Sequence, residues 1–186
     1  MEAPVRYEFD PHASQLTVHA FASGLVAVVA HNPKFAIRDF SGKAQFVPGG
    51  LAQATLRVNI KANSLTLMDE VSEYDQREIH RVMSEEVLET RPFPEIVFES
   101  SQVTAVKVSE SLFRATIVGN LTMHGVTHTH SFSAQVVAGD ESLRGYGDFT
   151  VKQTDYGIQI ASVAGGTLKM KDEVKIAFFI IARKLG

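Results

Sequence analysis

The chain of 186 residues contains no cysteine and no tryptophan. Without thiols it can form no disulfide, and it offers neither a thiolate nucleophile nor a cysteine-ligated metal centre. No stretch approaches the roughly 18 consecutive apolar residues of a membrane-spanning helix, so no such span is predicted. Cysteine-based chemistry and helical membrane anchoring within this chain are therefore excluded.

An excess of one charge is also missing. The 18 basic and 21 acidic side chains give a formal net charge of −3 and form no long run of one sign, which argues against nucleic acid as a partner. The N-terminal MEAPVRYEFD has no basic region followed by an apolar stretch, the pattern of a signal peptide. As written, the sequence predicts a cytoplasmic location, or a periplasmic one if a leader has been removed.

Most of the chain alternates between apolar and polar residues with a period of two. In TLRVNIK, Leu56, Val58 and Ile60 fall on one face and polar residues on the other, which is typical of a strand with one buried face. About ten short segments of this kind, separated by turns rich in glycine, proline and aspartate, predict an all-β fold. Their antiparallel sheet must close into a barrel or split into a sandwich. With no linker or repeat, a single domain over residues 1–186 is predicted.

One segment departs from the period of two. Between about Glu70 and Glu89, apolar residues recur at steps of three and four among many charges: Val71, Tyr74, Ile79, Val82, Met83 and Val87. Pro92 and Pro94 then prevent continuation, because proline lacks the amide donor and clashes with the preceding turn. The pattern predicts an amphipathic helix inserted in the β fold.

Two segments are apolar on both faces, Gly24 to His31 and Ile176 to Ile181. A strand of a closed barrel normally exposes its outer face to water, so such a strand needs a cover. The helix or a second subunit could supply it. A homodimer is the expected partner arrangement.

Three of the seven histidines lie close together in GNLTMHGVTHTHSF. A metal site, an acid/base centre and a purely structural role are all open. Histidines at steps of two on a strand stand about 7 Å apart, too far to share one tetrahedral ion without help from another strand. Gly125 also predicts a turn that separates His124 from His128 and His130. We expect structural histidines at a barrel rim, and no metal site is predicted.

Three further polar side chains are candidate ligand contacts. His31 precedes a proline turn at the end of an apolar stretch, a position from which functional groups are often presented. Arg77 and His80 lie on the predicted helix, where either could face a polar ligand group at the barrel mouth or simply belong to a solvated face.

Several stretches together resemble the YceI-like family of bacterial lipid-binding proteins. They are AHNPKFAIRDFSGKAQF, NSLTLMD, YDQREIHRVMSEEVLETRPFPEIVFESSQV, GNLTMHGVTHTHSF and FTVKQTDYGI. The resemblance runs from about Tyr7 to Arg183. It implies an eight-stranded antiparallel barrel, lipocalin-like in shape, with a helical segment near one end, an elongated apolar cavity for a polyisoprenoid chain, and a tendency to dimerise. One departure is Gln153, where the family often has an arginine.

The hypothesis that follows is a non-catalytic protein without a cofactor. It would bind, store or transport a long apolar isoprenoid lipid, a quinone or a polyprenyl phosphate. The dry faces of three strands predict the cavity lining: Leu56, Val58, Ile60, Ile117, Leu121, Phe178 and Ile180. The same residues would also serve a filled core. The alternatives are a dimeric interaction module with such a core, and a metal-dependent or acid/base enzyme using His31, His124 and His128.

Overall fold

The computed structural model describes residues 3–23, 32–47, 50–163 and 168–186. Its strands, in chain order, are β1 Val5–Phe9, β2 Gln15–His19, β3 Ala22–Ser23, β4 Lys34–Ile37, β5 Phe40–Val47, β6 Gly50–Lys61, β7 Leu65–Leu67, β8 Glu95–Lys107, β9 Leu112–Met123, β10 Val126–Ala138, β11 Ser142–Lys152, β12 Ser162–Val163, β13 Leu168–Met170 and β14 Glu173–Lys184. The helix α1 spans Glu73–Val82 and continues as a π-helical turn over Met83–Val87; 3-10 turns cover Ala62–Ser64 and Gln153–Tyr156.

Eight strands form a closed antiparallel barrel. Their order is β1, β5, β6, β8, β9, β10, β11 and β14, and β1 pairs with β14 to close the ring. At the closure Tyr7 lies opposite Lys184 and Phe9 opposite Ala182. The predictions of an all-β fold and of an eight-stranded antiparallel barrel with one inserted helix are confirmed.

Three short strands extend the wall at one end. Where the pairing of β14 with β1 ends, β14 pairs with β2. The strand β2 then pairs with β4, and β4 pairs with β7. A turn joins β1 to β2. In this turn the Asp10 carboxylate accepts a hydrogen bond from the Ala13 amide at 3.1 Å. The strands β3, β12 and β13 form a separate small sheet.

The two ends of the barrel differ. We call the helix end the one that carries α1, the β9–β10 turn and the Gln153–Tyr156 turn; the opposite end, with the β8–β9 and β10–β11 turns, is the hairpin end.

The helix is shorter than the predicted Glu70–Glu89. Ser72 caps its N-terminus by accepting a hydrogen bond from the Asp75 amide at 3.1 Å. All residues from 71 to 78 are exposed. Tyr74, which the amphipathic pattern groups with the apolar residues, is 72% exposed and therefore does not lie on a packed face. The π-helical turn then changes the spacing, and Val87 and Leu88 are buried.

The strand β14 is apolar on both faces, as the sequence indicates. Ile176, Phe178 and Ile180 point inward, whereas Phe179 points outward, is 40% exposed and lies opposite Tyr146 of β11. The helix packs beside β7 instead of covering this face. The homodimer stays a prediction. The other such segment, Gly24 to His31, lies outside the described residues.

Candidate functional site: an apolar cavity inside the barrel

The barrel encloses a cavity of about 1410 Å³ that reaches from the helix end to the hairpin end. Its wall is almost entirely aliphatic and aromatic. The strand β9 has 12 residues; at about 3.3 Å per residue and a tilt near 40°, it gives a lumen roughly 30 Å long. The alternative of a core filled by the protein's own side chains is wrong.

Small residues at inward positions keep the lumen open. Several strands place alanine or glycine where a large side chain would fill a core, and these residues line the cavity: Ala44, Ala105, Ala115, Ala134, Gly145 and Ala182. A Cβ added at Gly145 would meet no heavy atom within 4 Å. Eight-stranded barrels are narrow enough for ordinary side chains to fill them, so short side chains decide whether a ligand fits.

Two other glycines allow aromatic rings to lie against the wall. A Cβ at Gly119 would come within 2.5 Å of Phe98 Cζ, and a Cβ at Gly147 within 2.9 Å of Phe178 Cζ. These rings join one aromatic cluster through Phe132, whose ring centroid is 5.4 Å from that of Phe98 and 5.8 Å from that of Phe178. The missing Cβ atoms therefore let large apolar groups lie beside the lumen instead of across it.

All seven residues predicted to line the cavity do border it. They are Leu56, Val58, Ile60, Ile117, Leu121, Phe178 and Ile180. Alternation along each strand places them there, because residues two apart share a face. That they contact a ligand stays a prediction.

The predicted polar contacts lie elsewhere. His31 is outside the described residues. Arg77 and His80 do not border the cavity but a separate depression between the helix and β7. The Arg77 Nε donates to the Glu73 carbonyl at 3.3 Å, and His80 Nε2 lies 3.2 Å from the Asn63 carbonyl. The helix and the π-helical turn point Ile79, Val82 and Met83 toward the cavity instead. The residues of this segment that border the cavity are Asp69, Glu70, Val71, Glu78, Ile79, Val82, Met83, Val87 and Leu88. A ligand role for Arg77 or His80 stays a prediction.

Charged side chains stand at both ends of the cavity. Asp69, Glu70 and Glu78 border it at the helix end. Lys107 borders it at the hairpin end, where its Nζ lies 3.7 Å from a carboxylate oxygen of Glu110. Gln153 is also on the border, and its Nε2 donates to the Lys171 carbonyl at 3.1 Å. Sequence reasoning singled out Gln153 only as a departure from the family pattern and missed the four charged residues as border residues, because positions at strand and helix ends follow no period.

The histidine-rich stretch forms a hairpin, as predicted. His124 and Gly125 both have positive φ, 52° and 75°, and make a two-residue turn in which Met123 lies opposite Val126. The His124 ring makes two contacts. Its Nδ1 lies 3.0 Å from the Tyr156 carbonyl, and its Nε2 pairs with the carboxylate of Glu89.

The other two histidines hold a turn in a gap of the wall. In the described part of the chain, β10 pairs with β11 over Ala134–Ala138 and not over its first half. Tyr156 lies there, fully buried, with its hydroxyl 2.6 Å from His130 Nε2. His128 Nε2 lies 2.8 Å from the Asp155 carbonyl. The histidines thus attach the Gln153–Tyr156 turn to β10, which is a structural role.

Electrostatics agree with that role. Burial raises the pKa of Tyr156 to about 12, and Asp155 adds to the rise. Burial also lowers the pKa of His130, and His128 lowers it further while Asp155 opposes the change. Both partners of this hydrogen bond are therefore neutral near pH 7. Within the described ranges no three metal-binding side chains come together, and no helix there is long and apolar enough to cross a bilayer.

The fold and the cavity define a small closed antiparallel β-barrel with a hollow, apolar interior. The model of the YceI-like domain matches residues 7–182, and the chain belongs to the YceI-like family. UPF0312 proteins of Pseudomonas aeruginosa are 30% identical over 128 residues, 66% of this chain and 61% of theirs. The match thus spans about three fifths of the length of these relatives.

Solved structures show the same fold. BcnA of Burkholderia cenocepacia superposes with a TM-score of 0.71 at 17% identity, covering 93% of this chain and 98% of that one. A polyisoprenoid binding domain from Saccharophagus degradans, implicated in plant cell wall breakdown, gives 0.66 at 14% identity and covers 95% and 97%. The YceI protein of Campylobacter jejuni gives 0.62 at 18% identity and covers 84% and 88%.

Proposed function

We propose that this protein reversibly binds a long apolar isoprenoid lipid inside its barrel, without covalent chemistry. The observation that carries the proposal is the apolar cavity of about 1410 Å³ that runs through the closed barrel. Support at the level of the family comes from the Saccharophagus degradans neighbour, which is described as a polyisoprenoid binding domain.

The apolar wall favours a hydrocarbon chain over a polar ligand. Burying a methylene group from water stabilises a complex by about 0.8 kcal/mol, so each five-carbon isoprene unit contributes roughly 3–4 kcal/mol relative to water. A lipid that starts in a bilayer is already shielded from water, and its tail gains little from the transfer. The protein is therefore suited to carry or store such a lipid rather than to extract it strongly.

A binding role also fits the side chains on the wall. In the described part of the chain, the histidines of the GNLTMHGVTHTHSF stretch contact the Gln153–Tyr156 turn and Glu89. The His-based enzyme would need these imidazoles to face a substrate. Both ring nitrogens of His124 and the Nε2 of His128 make these contacts, and neither side chain is among the described residues that border the cavity.

The test begins with the lipid that copurifies with the protein. We expect organic extraction followed by mass spectrometry to release an isoprenoid lipid in near-stoichiometric amount. The variant Ile117→Trp places a large ring in the lumen and should abolish this yield. Thr116→Trp is the matched control, because Thr116 is the exposed neighbour on the outer face of the same strand. Absence of any apolar ligand, together with equal lipid binding by both variants, would refute the proposal.

A further inference from the structure

The charges at the two ends of the cavity bear on the head group of the lipid. At the helix end the described residues that border the cavity include three carboxylates, those of Asp69, Glu70 and Glu78. At the hairpin end, Lys107 is the one cationic side chain among the described cavity residues, and Glu110 already lies beside it. A phosphate ester carries a charge of about −1.5 to −2 at neutral pH. At either end of the cavity this negative charge would lie near carboxylates and be repelled by them.

Two cationic side chains near the helix end, Arg81 and Lys34, are not among the residues that border the cavity. Arg81 binds the carboxylates of Glu78, Glu85 and Glu86 at 2.6 to 3.4 Å. Lys34 precedes the inward-facing Phe35 and therefore lies on the outer, exposed face of β4. Residues 1–2, 24–31, 48–49 and 164–167, which the structure does not describe, contain no lysine or arginine in the sequence.

The N-terminus of α1 does not supply an anion-binding site in place of these cations. Backbone amides at a helix N-terminus bind anions where they are unoccupied. Here the Ser72 hydroxyl accepts a hydrogen bond from the Asp75 amide at 3.1 Å. Glu73 and Asp75 also place two carboxylates in the first turn. These acidic side chains already use the favourable field of the helix dipole.

From this distribution, and resting on the proposed function, we infer that the isoprenoid has an uncharged head group, such as a quinone or an alcohol, and that the cavity discriminates against phosphate esters. Recognition of a phosphate in proteins relies on arginine forks, lysines or clustered backbone amides. Among the described residues that border the cavity, Lys107 is the one lysine or arginine, and Glu110 lies beside it. A neutral head group makes no demand for a countercharge and can lie at either end.

The test compares two probes with identical tails, a polyprenol and its monophosphate. Binding of each to delipidated protein is measured at low salt and again at high salt. We expect the monophosphate to bind about tenfold or more weakly at low salt, because like charges at close range repel. The ratio of the two dissociation constants should shrink at high salt, where the repulsion is screened.

Charge variants identify the source of the discrimination. Glu70→Gln combined with Glu78→Gln should bring the dissociation constant of the monophosphate closer to that of the polyprenol. The control pair is Glu8→Gln with Glu99→Gln, which changes the net charge equally at exposed positions on the outer face, and should leave the ratio as it is. Equal or tighter binding of the monophosphate at low salt overturns the inference but leaves the proposed function standing. Failure of both probes to bind overturns the proposed function itself.

Discussion

Replacing Gly145 with phenylalanine should block the lumen without harming the fold. Gly145 borders the cavity on β11, between Val136 of β10 and Ile180 of β14. Because a Cβ there would meet nothing within 4 Å, the new ring can enter open space instead of displacing neighbours. Ligand affinity should therefore fall, whereas protein stability should be kept or raised.

The expected magnitudes follow from the cavity. A ring that excludes as few as two methylene groups of the ligand removes about 1.6 kcal/mol of binding free energy relative to water, which weakens binding more than tenfold. For stability, loss of a glycine from a strand interior contributes roughly 0.5–1 kcal/mol in favour of the folded state. The ring itself gains part of the roughly 1.5–3 kcal/mol that full burial provides. The melting temperature should stay level or rise by a few degrees.

The assay is titration with an isoprenoid that carries an environment-sensitive dye. The chain has no tryptophan, so protein fluorescence interferes little. Thr150→Phe, on the exposed face of the same strand, is the control and should bind like the parent protein. If Gly145→Phe folds normally and binds the probe with undiminished affinity, the tail does not occupy the lumen.

Three other outcomes test the wall itself. Tyr156→Phe removes the hydroxyl that pairs with His130 and should lower the free energy of unfolding by about 1 kcal/mol, measured by urea denaturation; an unchanged midpoint would contradict the role given to this pair. Gly119→Ala should destabilise by roughly 1–3 kcal/mol, because its Cβ would lie 2.5 Å from the Glu99 carbonyl oxygen, and a neutral effect on thermal unfolding would show that the wall relaxes. Because burial lowers the pKa of His130, the unfolded state takes up a proton before the folded state does as the pH falls below about 6.5. The free energy of unfolding should therefore be highest above that pH and decline below it. His130→Gln should reduce the decline between pH 6.5 and 5.

The sequence predicted the barrel wall well because alternation is a local property. Leu56, Val58 and Ile60 share a face in any extended strand, whatever lies beside them. The same holds for the turn at His124 and Gly125, which needs only a residue pair that tolerates positive φ. These predictions use neighbouring residues alone.

Side-chain size at the inward positions is the sequence signal for the hollow interior. Inward positions at Ala44, Ala115, Gly145 and Ala182 are small, whereas a filled barrel would place large side chains at such positions. Counting apolar residues on the dry face does not separate the two cases, but their summed side-chain volume does. Alternation alone therefore leaves both a filled and a hollow core open, and the size of the inward side chains favours the hollow one.

The site contacts were harder to predict because they join distant parts of the chain. His130 meets Tyr156, 26 positions away, and His124 meets Glu89, 35 positions away. No spacing rule links such pairs. Arg77 and His80 failed to reach the cavity border for a related reason: the helix faces the barrel with Ile79 and Met83, and its orientation depends on the wall it packs against.

The contact between Glu89 and His124 has a mechanical consequence. Both residues adopt left-handed backbone conformations, with φ of 46° and 52°, and each such conformation costs a non-glycine residue about 1–3 kcal/mol. The side-chain pair fastens the segment that follows the helix to the β9–β10 hairpin. The contact therefore restrains how far the segment after the helix can move from the hairpin, whereas the positive φ of His124 is set by the two-residue turn and persists without the contact.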